Sequence, residues 1–336
     1  MAFNPGCGTN ISHWLSQSEK RGKQRIDWFI REDVSRIADM GFNHIRIPID
    51  EVQMWREDGS VDNESFDLLN SSIYWCEREN LKAIVDLHIL RNHYFNDRSG
   101  VSTLFTDPDE MERFAGLWRS ISSETGFWSE EILAYEILNE PVAPDNEDWN
   151  RVCGYVFKAL REVQPERTIL LGSNNCCSVD TFDDLRVPDD KNIILTFHFY
   201  HPMLLTHYTA PWWEGGVYQG PVRYPGKTVS EEEIEKIPSP LKEKLKEMNE
   251  YCDRGVMLEK LSKPLLVAKN KSLPLYCGEF GCYKKVPEKE RHAWYRDFIF
   301  ILREQGISYA NWDYKGDFGI LDQCRIETNI AGMKLC

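Results

Sequence analysis

The sequence lacks the features that mark membrane-spanning and nucleic-acid-binding chains. No run of about 18 apolar residues occurs in its 336 residues, so a membrane-spanning helix is not expected. Basic residues are outnumbered, 40 against 54 acidic ones. The formal charge of −14 would repel phosphate backbones, so nucleic acid is not an expected partner.

A secretory signal is also missing from the first residues, which have no charged start, apolar stretch and cleavage site. This predicts a cytoplasmic protein; secretion with a trimmed leader is the alternative. The ten cysteines show neither a disulfide framework nor paired CxxC zinc ligands. Several of them, including Cys76, Cys153 and Cys277, lie in predicted helices or strands, so we expect reduced, buried thiols and no metal or other cofactor.

Apolar runs that read as strands alternate with stretches of helical spacing along the whole chain. This alternation predicts a parallel sheet, and eight strands with polar or aromatic ends predict closure into a (β/α)8 barrel. No GxGxxG motif follows the first strand, which argues against a doubly wound open sheet. We expect one domain over 1–336, with strands at 6–11, 42–49, 81–88, 132–138, 167–172, 192–200, 273–279 and 307–315, and helices at 27–41, 65–79, 107–122, 148–163 and 287–305.

One interval is too long to be an ordinary loop after a barrel strand. It runs from about 201 to 263 and follows the sixth strand, where loops of about 2 to 6 residues are usual. Its first part is rich in aromatic residues, glycine and proline, and its second part is charged and helical. We expect a small helical insertion subdomain that overhangs the C-terminal face of the barrel.

Two glutamates at strand ends carry the main functional signal. Glu140 lies in AYEILNEPVAP and Glu279 in LPLYCGEFG. The C-terminal ends of parallel barrel strands meet at one face, so two carboxylates placed there can converge on one cleft. Converging carboxylates are the minimum that glycosidic bond cleavage needs. The alternatives are a helix-start role for Glu140 and an ion pair between Glu279 and Arg46, which is compatible with catalysis.

Other strand ends supply polar or aromatic side chains that would surround this pair. A cation beside Glu279 would keep it ionised as a nucleophile, and its negative charge would raise the pKa of Glu140 and keep it protonated as an acid. Each supporting residue taken singly has a structural explanation, but their joint occurrence at successive strand ends favours a site. They are Arg46, His88, Asn139, His198, Tyr200 and Trp312.

The motifs that contain these residues resemble those of the glycoside hydrolase family 5 cellulases. They occur in the family's order from about Cys7 to about Tyr314: RIP at 46–48, DLH at 86–88, NEP at 139–141, HFY at 198–200, GEFG at 278–281, and Trp312. Within the family the chain is most similar to compact clostridial endoglucanases of the C type, which carry a helical insertion after strand six.

The resemblance implies a role for each matching residue. Glu140 would be the acid/base and Glu279 the nucleophile of a double displacement with retention. Asn139 would bind the sugar 2-hydroxyl, and Arg46 and Tyr200 would support the nucleophile. His88 and His198 would line the subsite of the cleaved sugar, and Trp312 would be its stacking floor.

The expected activity is endo-β-1,4-glucanase action by a monomer on β-glucans or their oligosaccharides, without a cofactor. Exo-acting β-glucosidase and β-mannanase activities of the same family are the alternatives, and bulky residues at 89–100 would favour a narrowed cleft. Aromatic faces stack on sugars, which makes four further side chains candidates for other subsites. They are Trp212, Trp213, Trp14 and Tyr94.

Two hypotheses come from other functional classes. A metal-dependent barrel hydrolase could use His88, His93, His198 and His201 with a glutamate. His198 and His201 would point to opposite faces of an extended segment, which argues against this set. A non-catalytic sugar-binding protein needs stacking aromatics and hydroxyl partners, but not a matched acid and nucleophile.

Overall fold

Eight parallel strands close into a barrel in the computed structural model, which describes residues 3–97, 102–325, 327–333 and 335–336. Around the barrel the strands follow the order β1, β2, β3, β4, β5, β6, β9 and β10, and β10 pairs with β1. The predicted (β/α)8 barrel is therefore confirmed. The strands are β1 (Cys7–Asn10), β2 (His44–Asp50), β3 (Lys82–Ile89), β4 (Leu133–Glu136), β5 (Ile169–Gly172), β6 (Ile193–Phe199), β7 (Gly226–Lys227), β8 (Tyr251–Cys252), β9 (Leu275–Phe280) and β10 (Ser308–Asn311).

Helices fill the connections between the barrel strands. Among the described residues, none is long and apolar enough to cross a bilayer. The helix predicted over 27–41 begins only at Arg31, where the Asp33 side chain accepts the backbone N–H of Ile30. The helices are α1 (Lys23–Ile26), α2 (Arg31–Asp39), α3 (Glu51–Met54), α4 (Asn63–Arg78), α5 (Pro108–Thr125), α6 (Asn146–Val163), α7 (Asn174–Cys177), α8 (Met203–Thr206), α9 (Glu231–Glu235), α10 (Leu241–Met248), α11 (Arg254–Lys260), α12 (Ser262–Lys271) and α13 (Glu288–Glu304).

Aspartates begin the longer helices that follow the strand ends. The side chains of Asp62, Asp107 and Asp145 accept backbone N–H groups in the first turns of α4, α5 and α6. Such caps satisfy donors that have no partner inside the helix and set where the helix begins.

The period-two pattern of each strand separates two environments. In β4, Leu133 and Tyr135 belong to the apolar core between sheet and helices, whereas Ala134 belongs to the cluster inside the barrel. Side chains of a strand alternate between faces, so Glu136 also points inward. The same alternation in β2 places Arg46 inside the barrel, between outward-facing Ile45 and Ile47.

The barrel interior has an apolar lower layer and a polar upper layer. The lower cluster consists of residues from six strands together with Phe3: Ile84, Ala134, Leu170, Ile194, Tyr276 and Ala310. Arg46 and its carboxylate partners form the layer above it. Charged side chains are rarely fully buried unless they are paired, so this layer is where the fold departs from an ordinary core.

The interval between β6 and β9 contains several short elements, including the antiparallel pair β7–β8. The Asn249 side chain accepts the N–H of Val229 and donates to its carbonyl, which joins the two halves of this segment. The indole N–H of Trp294 in α13 donates to the carbonyl of His201 and fixes the start of the segment. The division into a barrel and an insertion subdomain stays a prediction.

One disulfide corrects the expectation that all cysteines are reduced. Cys7 and Cys336 are bonded, with Cα atoms 5.8 Å apart, whereas Cys76, Cys153 and Cys277 are buried free thiols as expected. The pair is 329 positions apart in the sequence, so spacing held no local signal for it. Beside the disulfide, the hydroxyl of Tyr309, in the strand next to β1, donates to the carbonyl of Leu335 at 2.7 Å.

Candidate active site

Glu140 and Glu279 converge at the C-terminal face of the barrel. Glu140 follows β4 by four positions and Glu279 lies within β9. One carboxylate oxygen of each and one ring nitrogen of His198 all lie within 4.8 Å of one another. Carboxyl groups about 5–5.5 Å apart are typical of retaining glycosidases, and a separation of about 6.5–9.5 Å is typical of inverting ones. The observed spacing lies on the retaining side.

The backbone at Glu140 is held in an unusual conformation. Its φ of 42° lies in the left-handed region, which residues with a side chain seldom adopt. Such strain persists only where surrounding contacts impose it, and it is frequent at functional sites. Here the ring of His93 lies 3.4 Å from the Glu140 carbonyl oxygen, and the carbonyl of Pro141 accepts the N–H of Cys176.

Arg46 is fully buried and connects four strands below the two glutamates. Its guanidinium donates to both carboxylate oxygens of Glu136, at 2.7 and 3.0 Å, and to Glu279 Oε1 at 2.9 Å. It also donates to the side-chain oxygens of Asn10 and Asn139, at 2.9 and 3.1 Å. A planar guanidinium can satisfy this many acceptors in one fixed geometry, which an ammonium cannot.

Tyr200 and His198 contact the carboxylates from the end of β6. The Tyr200 hydroxyl donates to Glu279 Oε2 at 2.9 Å, so both oxygens of Glu279 have a donor. His198 Nδ1 lies 2.9 Å from Glu140 Oε1 and 3.6 Å from Glu279 Oε2. The imidazole therefore stands between the two predicted catalytic groups.

Burial is the largest cause of the pKa shift of both carboxyl groups and of His198. Burial raises the pKa of Glu140 to about 8; the Arg46 charge opposes the rise, and Asp86 and Glu136 add to it. Burial also raises the pKa of Glu279, against the lowering effect of His198 and Arg46. Burial lowers the pKa of His198 to about 4, so its imidazole is neutral at pH 7. A protonated Glu140 beside a nucleophile with two donors matches the two roles expected of the pair.

His88 in β3 and Trp312 after β10 lie together beside the polar layer. Their rings are stacked, with centroids 5.5 Å apart and planes at 7°. His88 Nδ1 lies 2.7 Å from Asp86 Oδ2, and burial lowers the pKa of His88 to about 3, which keeps the ring neutral. Trp312 is only 8% exposed, so most of its indole is covered by neighbouring residues.

The remaining aromatic candidates lie in three different settings. Trp212 is 51% exposed and packs edge-on against Tyr283. Trp213 is half-buried and contacts His207, whose ring touches Tyr200. No direct contact joins either of them to the predicted catalytic pair among the described residues.

One of the sequence expectations for the cleft wall is wrong, and the one for Tyr94 stays a prediction. Trp14 is fully buried and donates to the carbonyl of Arg25, so the prediction that it stacks on sugar is wrong. Tyr94 is 41% exposed and contacts Phe95, whose ring packs edge-on against His88 at 5.4 Å. Of the bulky segment 89–100, positions 98–100 lie outside the described residues.

The histidines proposed for a metal site do not gather into one. His88 pairs with Asp86, His93 lies beside a backbone carbonyl, and His201 Nε2 lies 3.6 Å from Glu250. Within the described ranges, the group of side chains spaced for a metal is Glu140, His198 and Glu279. These are the same side chains that the glycosidase prediction uses.

Three partners of Arg46 were missed in the sequence: Asn10, Asp86 and Glu136. Asp86 lies 3.1 Å from Arg46, and Glu136 forms the two-bond pair described above. A signal did exist, because an acidic residue in a short apolar strand, as in AYEIL, is expensive to bury without a cation. The sequence alone did not identify Arg46 as the cation that pairs with Glu136.

The barrel with two converging carboxylates at its C-terminal face defines the protein as a glycoside hydrolase. Comparison with known proteins gives the family: residues 10–317 match the model of Cellulase (glycosyl hydrolase family 5). The chain belongs to glycosyl hydrolase family 5.

Similar proteins span nearly the whole chain. It is 35% identical to Endoglucanase C of Acetivibrio thermocellus over 325 residues, 95% of this chain and 94% of that protein. It is 29% identical to Cellodextrinase A of Ruminococcus flavefaciens, over 90% and 83% of the two chains. Among solved structures, Cel5A of Thermotoga maritima in complex with mannotriose superposes with a TM-score of 0.78 at 25% identity, over 98% of this chain and 96% of that one.

Proposed function

We propose that this protein is a retaining endo-β-1,4-glucanase that cleaves β-glucans or their oligosaccharides as a monomer. The observation that carries the proposal is the pairing of Glu140 and Glu279 within 4.8 Å, each with its own set of partners. The relatives named endoglucanase, which match the chain over almost its full length, support the same activity.

Glu279 is the nucleophile in this proposal. Arg46 and Tyr200 donate to its two oxygens, so the carboxylate is held in one orientation towards the anomeric carbon. Attack forms a glycosyl-enzyme and expels the leaving sugar. Asn139 donates to the sugar 2-hydroxyl, because its oxygen accepts from Arg46 while its amide nitrogen has no partner among the described residues.

Glu140 is the acid and then the base. Its raised pKa keeps it protonated near neutral pH, so it can deliver a proton to the leaving oxygen. Its carboxylate then takes a proton from the water that releases the glycosyl-enzyme. His198 lies beside Glu140 Oε1, and His88 with Trp312 borders the same sugar subsite.

The substrate range and the compartment are part of the proposal. Trp212 is the outer stacking platform, because half of its surface is exposed, and Tyr283 supports its ring from the edge. Trp213 is the second aromatic candidate of this segment. Mannan and exo action on short oligosaccharides are the other outcomes to test. The Cys7–Cys336 disulfide favours an oxidising compartment and therefore the secreted alternative.

The test of the nucleophile is chemical rescue. Glu279→Ala should abolish cleavage of an aryl β-cellobioside, and azide should restore part of the activity, giving the α-glycosyl azide because the small anion attacks the face that Glu279 occupied. Glu279→Gln is the matched control, since its amide fills the space that azide needs. An unrescued Glu279→Ala, or activity retained without azide, places the nucleophile elsewhere.

A product panel tests the substrate. Carboxymethyl cellulose, lichenan, barley β-glucan, glucomannan, mannan and aryl β-glucosides are digested, with Glu140→Gln and Glu279→Gln as controls. Short oligomers from the glucans support endo-glucanase action. Monosaccharide release confined to short substrates supports exo action, and products from mannan alone support a mannanase.

A further inference from the structure

The turn after β5 has a backbone conformation that is unfavourable for the residues it contains. Asn175, Cys176 and Cys177 in α7 have φ values of 57°, 62° and 52°, all in the left-handed region. None of the three is glycine, and left-handed residues other than glycine usually occur singly. Such a conformation persists only where surrounding contacts impose it, and it is frequent at functional sites. The turn therefore depends on the contacts that it makes.

Asn174 begins this turn and binds the segment after Glu140 with both ends of its amide. Its Oδ1 accepts the backbone N–H of Ala143 at 2.8 Å, and its Nδ2 donates to the carbonyl of Ala143 at 3.1 Å. Nδ2 also donates to Oδ1 of Asn146 at 3.0 Å. Asn174 is buried, so little water competes for these hydrogen bonds. The amide thus ties the turn after β5 to the loop after β4.

Two further contacts continue this pairing towards the predicted acid. The N–H of Cys176 donates to the carbonyl of Pro141 at 3.1 Å. The thiol of Cys177 lies beside the backbone N–H of Glu140. As the turn advances from its first residue to its last, its partners go back from Ala143 to Glu140, so the two segments pair in antiparallel order.

The segment 140–144 has little means of holding its own shape. It belongs to no helix or strand, and it contains two prolines, which have no N–H to donate. The carboxyl group of Glu140 is hydrogen-bonded to one side chain among the described residues, that of His198, whereas two donors hold the carboxylate of Glu279. The placement of Glu140 therefore depends on its backbone, which Asn174 and its turn hold.

We propose that Asn174 is a positioning residue for Glu140, on which it acts through the backbone of 140–143. It keeps the carboxyl group in the orientation that protonates the leaving oxygen. This role rests on the proposed function, in which Glu140 is the acid. General acid catalysis contributes about 10²–10⁴-fold to a rate, and a displacement of about 1 Å can cost about 100-fold. Replacing Asn174 should weaken the acid and leave the nucleophile Glu279 intact.

Leaving groups of different acidity separate these two contributions. Dinitrophenolate leaves without being protonated, whereas cleavage of cellotetraose needs the acid. We expect Asn174→Ala to lower kcat/KM for cellotetraose about 10- to 100-fold and kcat/KM for dinitrophenyl β-cellobioside less than about threefold. The comparison uses kcat/KM because this constant reports the formation of the glycosyl-enzyme, the step in which Glu140 donates its proton.

Asn249→Ala is the matched control, because Asn249 makes the same two-bond bridge at a distance from the acid in sequence. Its amide accepts the N–H of Val229 at 2.9 Å and donates to the carbonyl of Val229 at 2.8 Å, in the segment after β6. Asn249 and Asn174 are equally buried, each 6% exposed. We expect both alanine variants to lose stability in urea, but Asn249→Ala should change kcat/KM for the two substrates by the same factor. The isosteric pair Asn174→Asp and Asn249→Asp repeats the comparison if truncation prevents folding.

Three outcomes would overturn the role of Asn174: an equal loss on both substrates in Asn174→Ala, wild-type rates on both, or the same change in selectivity in Asn249→Ala. Glu140→Gln, measured alongside, should lose cellotetraose cleavage and retain kcat/KM for the dinitrophenyl substrate. If Glu140→Gln shows no such difference, the proposed function is overturned and the role of Asn174 falls with it. If Glu140→Gln shows the difference and Asn174→Ala does not, the role of Asn174 alone is overturned.

Discussion

Replacing Arg46 by lysine tests how far the buried guanidinium holds the site together. Lysine keeps the charge but offers three donors from one point, whereas Arg46 makes five hydrogen bonds to four residues. At least two of those bonds are lost, and bonds to charged groups are worth about 1.5–3 kcal/mol each. Partial re-solvation reduces the total, so we expect the free energy of unfolding to fall by about 2–4 kcal/mol.

Activity should fall with stability, since one of the lost bonds holds Glu279. We expect kcat/KM of Arg46→Lys to drop by roughly 10- to 100-fold, the equivalent of one such bond. Urea unfolding and initial rates on cellotetraose measure the two effects. Arg119→Lys is the control, because Arg119 forms an exposed pair with Glu112 that contributes little. Wild-type stability and rate in Arg46→Lys would refute the reasoning.

Three further predictions follow from individual contacts. Because the acid must be protonated, kcat/KM should fall as pH rises through the pKa of Glu140, about 8. Glu140→Gln should lose this alkaline decrease in the pH profile when activated aryl glycosides are the substrates. An unchanged alkaline decrease in that variant contradicts the role of Glu140 as the acid. Trp212→Ala should raise KM for long cello-oligosaccharides about three- to tenfold and affect KM for short ones less. Phe127 is the control, since it is exposed before β4 at the other end of the barrel, and Phe127→Ala should leave both KM values unchanged. Equal effects of the two variants argue against Trp212 as a stacking platform. Cys336→Ser should lower the free energy of unfolding by about 2–5 kcal/mol, because the Cys7–Cys336 bond closes a loop of nearly the whole chain. A melting temperature that changes neither with the substitution nor with reductant would contradict this prediction.

The sequence was sufficient for the fold and for the placement of the site. Apolar runs separated by stretches of helical spacing identified all eight barrel strands, and Arg46 and Glu136 stand between apolar neighbours within those runs. The chain also places polar residues where strands end, and parallel topology alone brings those ends together. Glu140 and Glu279 could therefore be paired without coordinates.

The sequence could not predict which side chains on different strands form hydrogen bonds and ion pairs with each other. The register of strand pairing around the barrel brings Arg46 into contact with Glu136 and His198 into contact with Glu140. The sequence of a single strand does not determine that register. The burial of Trp14 could not be predicted either, since an aromatic residue after a strand can face the cleft or the core. The spacing of the cysteines in the sequence did not indicate the disulfide, because Cys7 and Cys336 come together only in the closed barrel.

The most direct test of the account is the anomeric configuration of the first product. Cellotetraose is hydrolysed in an NMR tube, and proton spectra are taken before mutarotation equilibrates the new reducing ends. Double displacement through Glu279 predicts that the β-anomer appears first and that cellobiose from internal cleavage is the main product. An initial excess of the α-anomer would mean direct attack by water, which contradicts the close spacing of Glu140 and Glu279 as the basis of catalysis.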